Sequence, residues 1–255
     1  MRFASLGSGS QGNSLIVDAG DTKLLLDCGF STRATLEKLG RLAISVEEIT
    51  AVLVTHEHSD HVAGVFKLAS RFQIPVYLTY GTHVAAPRGK SPLPECRLID
   101  SHAAFSIGSL EVHPFPVPHD AREPVQYAFS NGKHRLGVLT DSGSITPHIV
   151  DVLRNCDALV LECNHDPDLL AASDYPMLLK RRVSGNLGHL ENAQAASLLQ
   201  LIETQRLQHI VAAHLSEKNN RPELAARALA SALNCAEDWI GVASQASGFG
   251  WRQLL

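Results

Sequence analysis

His56-Glu57-His58-Ser59-Asp60-His61 directly follows the apolar run Ala51-Val52-Leu53-Val54-Thr55. The apolar run is short, β-branched and uncharged, so it predicts a buried strand. Three imidazoles and a carboxylate are then gathered in a tight loop at the end of that strand. The loop can direct His56 and His58 at one metal ion, and Asp60 and His61 at a second ion beside it. The alternative is a polar loop that contains several histidines by chance.

Composition is that of an ordinary soluble globular protein, with 45% apolar and 19% charged residues in 255. A net charge of −4 gives no global attraction to nucleic acid, so any such binding requires a local patch. The N-terminus lacks the apolar segment of a secretory leader, and no apolar stretch reaches membrane-spanning length. The five cysteines form no CxxC pair, which predicts reduced, mostly buried thiols in a cytoplasmic protein. The sequence does not decide whether the chain forms a homo-oligomer.

Strands and helices alternate along the whole chain, without repeats or long linkers. Strands are predicted in both halves, and Ala19-Gly20-Asp21 and Asn131-Gly132 have the composition of hairpin turns. Helices are predicted at 31–39, 62–71, 145–154, 190–205 and 222–233, with a capping box at 45–48. Two mixed sheets packed face to face, with helices outside each, would bury these faces. The predicted fold is therefore a four-layer αββα sandwich, with residues 1–255 as a single domain.

Four further candidates for the metal site also follow predicted strands: Asp27, His119, Asp141 and His214. Each stands directly after an apolar run or within two residues of its end, so all four can converge on one rim of the sandwich. Taken singly, each has an ordinary alternative as a solvated loop histidine or turn aspartate.

Taken in order, the pattern H-x-H-x-D-H, His119, Asp141 and His214 resembles the metallo-β-lactamase superfamily. The resemblance covers most of the chain, and it implies the αββα fold. It implies a first metal held by His56, His58 and His119. A second would be held by Asp60, His61 and His214, with Asp141 bridging both ions. Asp27 matches the early aspartate of the family, a buried group that orients the histidine loop without touching metal.

Imidazole and carboxylate ligands suit Zn²⁺ and also accept Mn²⁺ or Fe²⁺. Two such ions lower the pKa of a shared water from about 15.7 toward about 7, so that a metal-bridging hydroxide forms at neutral pH. Asp60 can ligate through one carboxylate oxygen and hold the hydroxide with the other. The ligand types therefore predict a hydrolase.

Four segments resemble the YycJ (WalJ) branch of this superfamily: residues 7–14, 162–166, 184–190 and 214–220. The resemblance implies 5′→3′ exonuclease activity on a nucleic acid, DNA rather than RNA. Asp141 stands where lactam-cleaving relatives carry cysteine, and His58 stands where redox di-iron relatives carry an acidic residue. These two departures disfavour both of those activities.

Several polar residues of these segments are candidates for contact with substrate: Ser8, Asn13, Asn164, His165 and His189. His189 is also a candidate catalytic group beside Asp60; its alternative is to cap the helix that follows. The run Lys180-Arg181-Arg182 could steer a nucleic-acid backbone, but a solvated helix face is the more common role of such a run.

Two other functions are compatible with these residues. One is a small-molecule metallohydrolase of the same fold that cleaves a cyclic phosphodiester, lactone or thioester. The other is a non-catalytic metal-binding protein, which the complete ligand set disfavours.

Overall fold

The computed structural model describes residues 1–87 and 93–255, whose strands form two mixed seven-stranded sheets. The spatial order of the first sheet is β14-β1-β2-β3-β4-β5-β6, and that of the second is β13-β12-β11-β10-β9-β8-β7. The strands of the first sheet are β1 (Arg2–Gly7), β2 (Ser14–Asp18), β3 (Lys23–Leu26), β4 (Ala51–Leu53), β5 (Val76–Thr79), β6 (Cys96–Ile99) and β14 (Phe249–Gln253). Those of the second are β7 (Phe105–Ile107), β8 (Leu110–Pro116), β9 (Val125–Ser130), β10 (Arg135–Leu139), β11 (Ala158–Glu162), β12 (His209–Ala213) and β13 (Gly241–Val242).

Each sheet has an antiparallel half and a parallel half. In the first sheet β1, β2 and β3 are antiparallel neighbours, whereas β3 through β6 run parallel. In the second, β7 through β10 are antiparallel and β10 through β13 are parallel. Since parallel strands end at the same edge of a sheet, the residues after β3 and β4 share one rim, as do those after β10, β11 and β12.

Helices flank the two sheets. They are α1 (Thr32–Arg41), α2 (Ser59–Val62), α3 (Val65–Phe72), α4 (Tyr80–Ala85), α5 (Pro147–Leu153), α6 (Pro167–Ala172), α7 (Met177–Val183), α8 (Asn192–Leu201) and α9 (Pro222–Leu233). Short 3₁₀ turns occupy Val46–Glu48 and Glu237–Trp239. Within the described ranges, no helix is long and apolar enough to cross a bilayer.

Three apolar cores lie between these layers. The central core joins the inner faces of the two sheets, with Phe3 and Leu24 from one and Phe129 and Val160 from the other. A second core packs α1 and α3 on the outer face of the first sheet, and a third packs α5, α8 and α9 on the second. The predicted αββα sandwich is thus confirmed.

Local differences from the prediction concern the helices around the rim. The predicted helix 62–71 is broken at Gly64 into α2 and α3. Asp60 and His61 therefore lie on a helical turn, not in a loop, because the amides of His61 and Val62 both donate to His58 O. The predicted helix 190–205 is shorter at both ends and begins at Asn192 after a capping box formed by Glu191.

The break at Gly64 and the tight turn at Gly29 hold the histidine segment against the end of β3. A Cβ added to Gly29 would lie 1.8 Å from Asp60 O, and one added to Gly64 would lie 1.9 Å from Phe30 O. Only glycine allows this approach of backbone to backbone.

We predict that Gly29→Ala lowers the free energy of unfolding by about 1–3 kcal/mol, because the added methyl must displace the backbone at Asp60. Gly40→Ala is the matched control: Gly40 lies inside α1, and a Cβ there would meet nothing within 4 Å. The control is expected to be neutral or more stable by up to about 1 kcal/mol. Chemical denaturation measures both values, and equal effects of the two substitutions would contradict this packing.

Candidate metal centre

Strand ends place the predicted ligands on one rim. Asp27 follows β3, Asp141 follows β10 and His214 follows β12, and each of the three has a positive φ, of 59°, 52° and 55° respectively. Such left-handed conformations outside glycine cost on the order of 1–3 kcal/mol each and persist where the surrounding structure enforces them. The three turns aim their side chains inward, between the two sheets.

His56, His58 and His119 form the first group of converging donors, with ligand atoms within 4.8 Å of one another. Hydrogen bonds to Nδ1 hold two of these rings in place. His119 Nδ1 lies 3.1 Å from Gly188 O, and His56 Nδ1 lies 2.9 Å from Thr55 Oγ1. These hydrogen bonds place the proton on Nδ1 of both rings. His56 Nε2 keeps a free lone pair, and His119 Nε2 lies 3.2 Å from His58 Nδ1.

Asp60, His61 and His214 form the second group, also with ligand atoms within 4.8 Å of one another. His61 Nδ1 donates to Asp27 Oδ2 at 2.8 Å, while Thr55 binds the same carboxylate through its amide and hydroxyl. Asp27 therefore contacts the His61 ring on the side away from Asp141 and fixes its orientation.

Asp141 lies between the two groups. Its Oδ2 is 3.0 Å from His61 Nε2, and its Oδ1 is 3.5 Å from His214 Nε2 and 4.0 Å from His119 Nε2. The structure therefore brings all seven predicted ligands, including Asp141, together at one rim.

Buried charge shows that this cluster fits a metal. Asp27, Asp141 and Glu162 are almost completely buried. Burial alone would lower the pKa of His61, but the carboxylates of Asp141, Asp27 and Asp60 raise it well above the usual value. Burial also acts to lower the pKa of His214, and Asp141, Asp60 and Glu162 raise it to about 10. The buried carboxylates thus stabilise positive charge at this cluster. Divalent cations bound by its nitrogen and oxygen atoms can provide that charge.

Buried ligand atoms without hydrogen bonds also indicate a metal site. His56 Nε2, His214 Nε2 and Asp141 Oδ2 are inaccessible to solvent and make no hydrogen bond of acceptable geometry to any residue that the structure describes. Buried polar atoms are normally paired, so unpaired lone pairs on three predicted ligands indicate that an ion completes them.

Glu162 is a carboxylate at this rim that the sequence prediction did not assign. Its Oε1 accepts from His189 Nδ1 at 2.9 Å and from His214 Nδ1 at 3.1 Å, while Oε2 accepts from the amides of Ser142 and Leu190. Burial favours the neutral acid, but His189 and His214 lower the pKa of Glu162 to about 2. The sequence contains a pattern that could have identified Glu162. An apolar run ends in a carboxylate at Ala158-Leu159-Val160-Leu161-Glu162, as the segment ending at Asp27 does.

A cavity of about 390 Å³ opens beside the ligands. Asn164 and His189, two of the predicted substrate-side residues, line it. His189 does not cap α8, because Glu191 does so, and its ring is held by Glu162. Its Nε2 edge is therefore available on the cavity side.

Ser8, Asn13 and His165 lie behind the cavity wall, which does not support their predicted contacts with substrate. Ser8 Oγ accepts from the His214 amide at 2.9 Å, and Asn13 Nδ2 donates to Asp60 Oδ2 at 3.2 Å. His165 is 1% exposed. Ser8 and Asn13 thus support the segments that carry His214 and Asp60, a role that loop composition alone does not distinguish from phosphate binding.

We predict that Glu162→Gln weakens metal binding by about 10–100-fold, because His214 loses the charged acceptor that orients it. Metal affinity is measured by competition with a chromophoric chelator, and circular dichroism checks the fold. Glu111→Gln, an exposed carboxylate on β8, is the control and should leave affinity unchanged. Equal affinity of wild type and Glu162→Gln would contradict the orienting role.

Comparison with known proteins identifies the family of this chain. The family model of the beta-lactamase superfamily domain matches residues 22–210. Exodeoxyribonuclease YycJ of Bacillus anthracis is 36% identical over 235 residues, covering 91% of this chain and 89% of that protein. Exodeoxyribonuclease WalJ of Streptococcus pneumoniae is 31% identical over 245 residues, covering 94% and 91%. The crystal structure of the metallo-beta-lactamase fold protein YhfI from Bacillus subtilis superposes with a TM-score of 0.77 at 17% identity, covering 98% of both chains. The chain belongs to the beta-lactamase superfamily, and it is a metal-dependent hydrolase.

Proposed function

We propose that this protein is a dinuclear metal-dependent exonuclease that degrades DNA in the 5′→3′ direction. His56, His58 and His119 would hold the first ion, Asp60, His61 and His214 the second, and Asp141 would contact both. The observation that carries this proposal is the position of Asp141, whose two oxygens face both groups of donors. The donor set favours Zn²⁺ or Mn²⁺.

Similarity to YycJ and WalJ supports DNA as the substrate, because the match spans about nine-tenths of each chain. We also place the protein in the cytoplasm, because Cys28, Cys156, Cys163 and Cys235 are reduced thiols and disulfides are rare in that compartment.

The ions, when bound, supply a nucleophile at neutral pH and stabilise charge on the phosphoryl oxygens. The chain itself would orient the reactants. Asp60 lines the cavity and is fixed through Oδ2 by Asn13, so Oδ1 can accept a proton from the attacking water. His189 is held through Nδ1 by Glu162, and its Nε2 can donate to the phosphate or to the leaving oxygen.

Linear single-stranded and double-stranded DNA with a label at either end tests this function. With Mn²⁺, we expect a 5′ label to be released first as a mononucleotide while a 3′-labelled strand shortens progressively. A closed circular single strand should remain intact, because it offers no end. Cleavage of the circle, or first release of a 3′ label, would contradict the proposed mode of action.

Asp60→Asn is the control for this assay. The substitution preserves size but removes the charge that binds cation and proton, so turnover should fall at least about 100-fold with the fold retained. Equal turnover by Asp60→Asn and wild type would contradict the mechanism. Hydrolysis of a cyclic phosphodiester by a wild-type protein that leaves all DNA intact would favour the small-molecule alternative.

A further inference from the structure

One wall of the cavity comes from the segment between β11 and α8, opposite the predicted metal ligands. Tyr175, Leu179, Arg182 and Val183 line this wall. The last three lie on α7 at spacings of three and four residues, so they share one face of the helix. A cavity of about 390 Å³ is at the small end of the range for sites that enclose one drug-sized ligand. It suits a single nucleotide.

Only one residue of the basic run Lys180-Arg181-Arg182 lines this cavity. Lys180 Nζ donates to Ala171 O at 2.6 Å, which ties it to the preceding helix. Arg181 is exposed and does not line the cavity, whereas Arg182 does. The three cations therefore have different surroundings.

Asp120 orients the Arg182 guanidinium. The Nε of Arg182 pairs with Asp120 Oδ2, while Asp120 Oδ1 lies 3.6 Å from His119 Nε2. Within residues 1–87 and 93–255, Nη1 and Nη2 of Arg182 make no hydrogen bond. A guanidinium fixed at one edge with its other donors free is suited to binding a phosphate through two parallel hydrogen bonds.

Tyr175 supplies an aromatic ring on the same wall. The ring is half-buried, and Lys218 Nζ lies 5.3 Å from its centroid. Pro176 follows directly and precedes the first residue of α7, which restricts the backbone next to the ring. Aromatic rings stack on every base, so such a contact holds a nucleotide without reading its identity.

We propose that Arg182 and Tyr175 form a subsite for one nucleotide next to the scissile phosphate. Arg182 binds the neighbouring phosphate of the strand, and Tyr175 stacks on the base. This inference rests on the proposed nuclease function and deepens it, because it names the groups that distinguish a nucleotide strand from a simple phosphodiester.

Arg182→Ala and Arg181→Ala form the decisive pair, since they remove the same charge from adjacent positions. Activity is measured with Mn²⁺ on a short single-stranded DNA and on bis(p-nitrophenyl) phosphate, with metal content determined for each variant. For Arg182→Ala, kcat/KM on DNA should fall about 10–100-fold, chiefly through KM. This loss should exceed the loss on the small phosphodiester at least tenfold. Arg182→Lys should recover part of it, and Arg181→Ala should stay within about twofold of wild type.

Tyr175→Ala should raise KM for DNA by about 5–100-fold, while Tyr175→Phe, which retains the ring, should recover most of that loss. Equal losses in Arg181→Ala and Arg182→Ala would overturn the subsite, since they would reflect general attraction of the strand. Equal losses on both substrates would also overturn it, since they would reflect damage to the metal site. If wild type cleaves the small phosphodiester but no DNA, the proposed function itself fails.

Discussion

Three carboxylates that are almost fully buried, those of Asp27, Asp141 and Glu162, determine the electrostatics of the rim that carries the candidate metal ligands. A charge removed from water costs several kcal/mol unless it is paired and hydrogen-bonded. Asp27 and Glu162 are satisfied by backbone amides and by histidine Nδ1 atoms, and this fixes which way the rings face. Asp141 instead faces histidine Nε2 atoms, where positive charge is required. The fold and the metal chemistry therefore depend on the same buried charges.

The strand ends explain how one fold can hold such a cluster. Parallel strands of both sheets finish at the same rim, and left-handed residues one or two positions after β3, β10 and β12 turn their side chains inward. The cost of those turns is offset by the packing of three apolar cores around them. Stability of the layers thus supports a strained and highly charged site.

Much of this was predictable from sequence. A short apolar run followed by an acidic residue or histidine indicates a buried strand and the position where it ends. That pattern located Asp27, the histidine segment, Asp141 and His214. The same pattern at Glu162 was present but was not assigned a role.

Features that depend on tertiary contact were not predictable in this way. The helical turn at Asp60 and His61 forms because Gly29 and Gly64 allow close backbone contact. Ser8 and Asn13 lie in a turn whose composition fits phosphate binding, yet they bind His214 and Asp60 from behind. Helices α6 and α7 bury few side chains, so hydrophobic periodicity gave no signal for them. Their position beside the ligands became evident only from the fold.

Anomalous diffraction from crystals grown with Mn²⁺ would show whether this rim holds two ions. We expect two peaks about 3.5–4 Å apart, one beside His56, His58 and His119 and the other beside Asp60, His61 and His214, with Asp141 in reach of both. No peak at this rim, or ions bound elsewhere while these seven side chains point apart, would contradict this expectation.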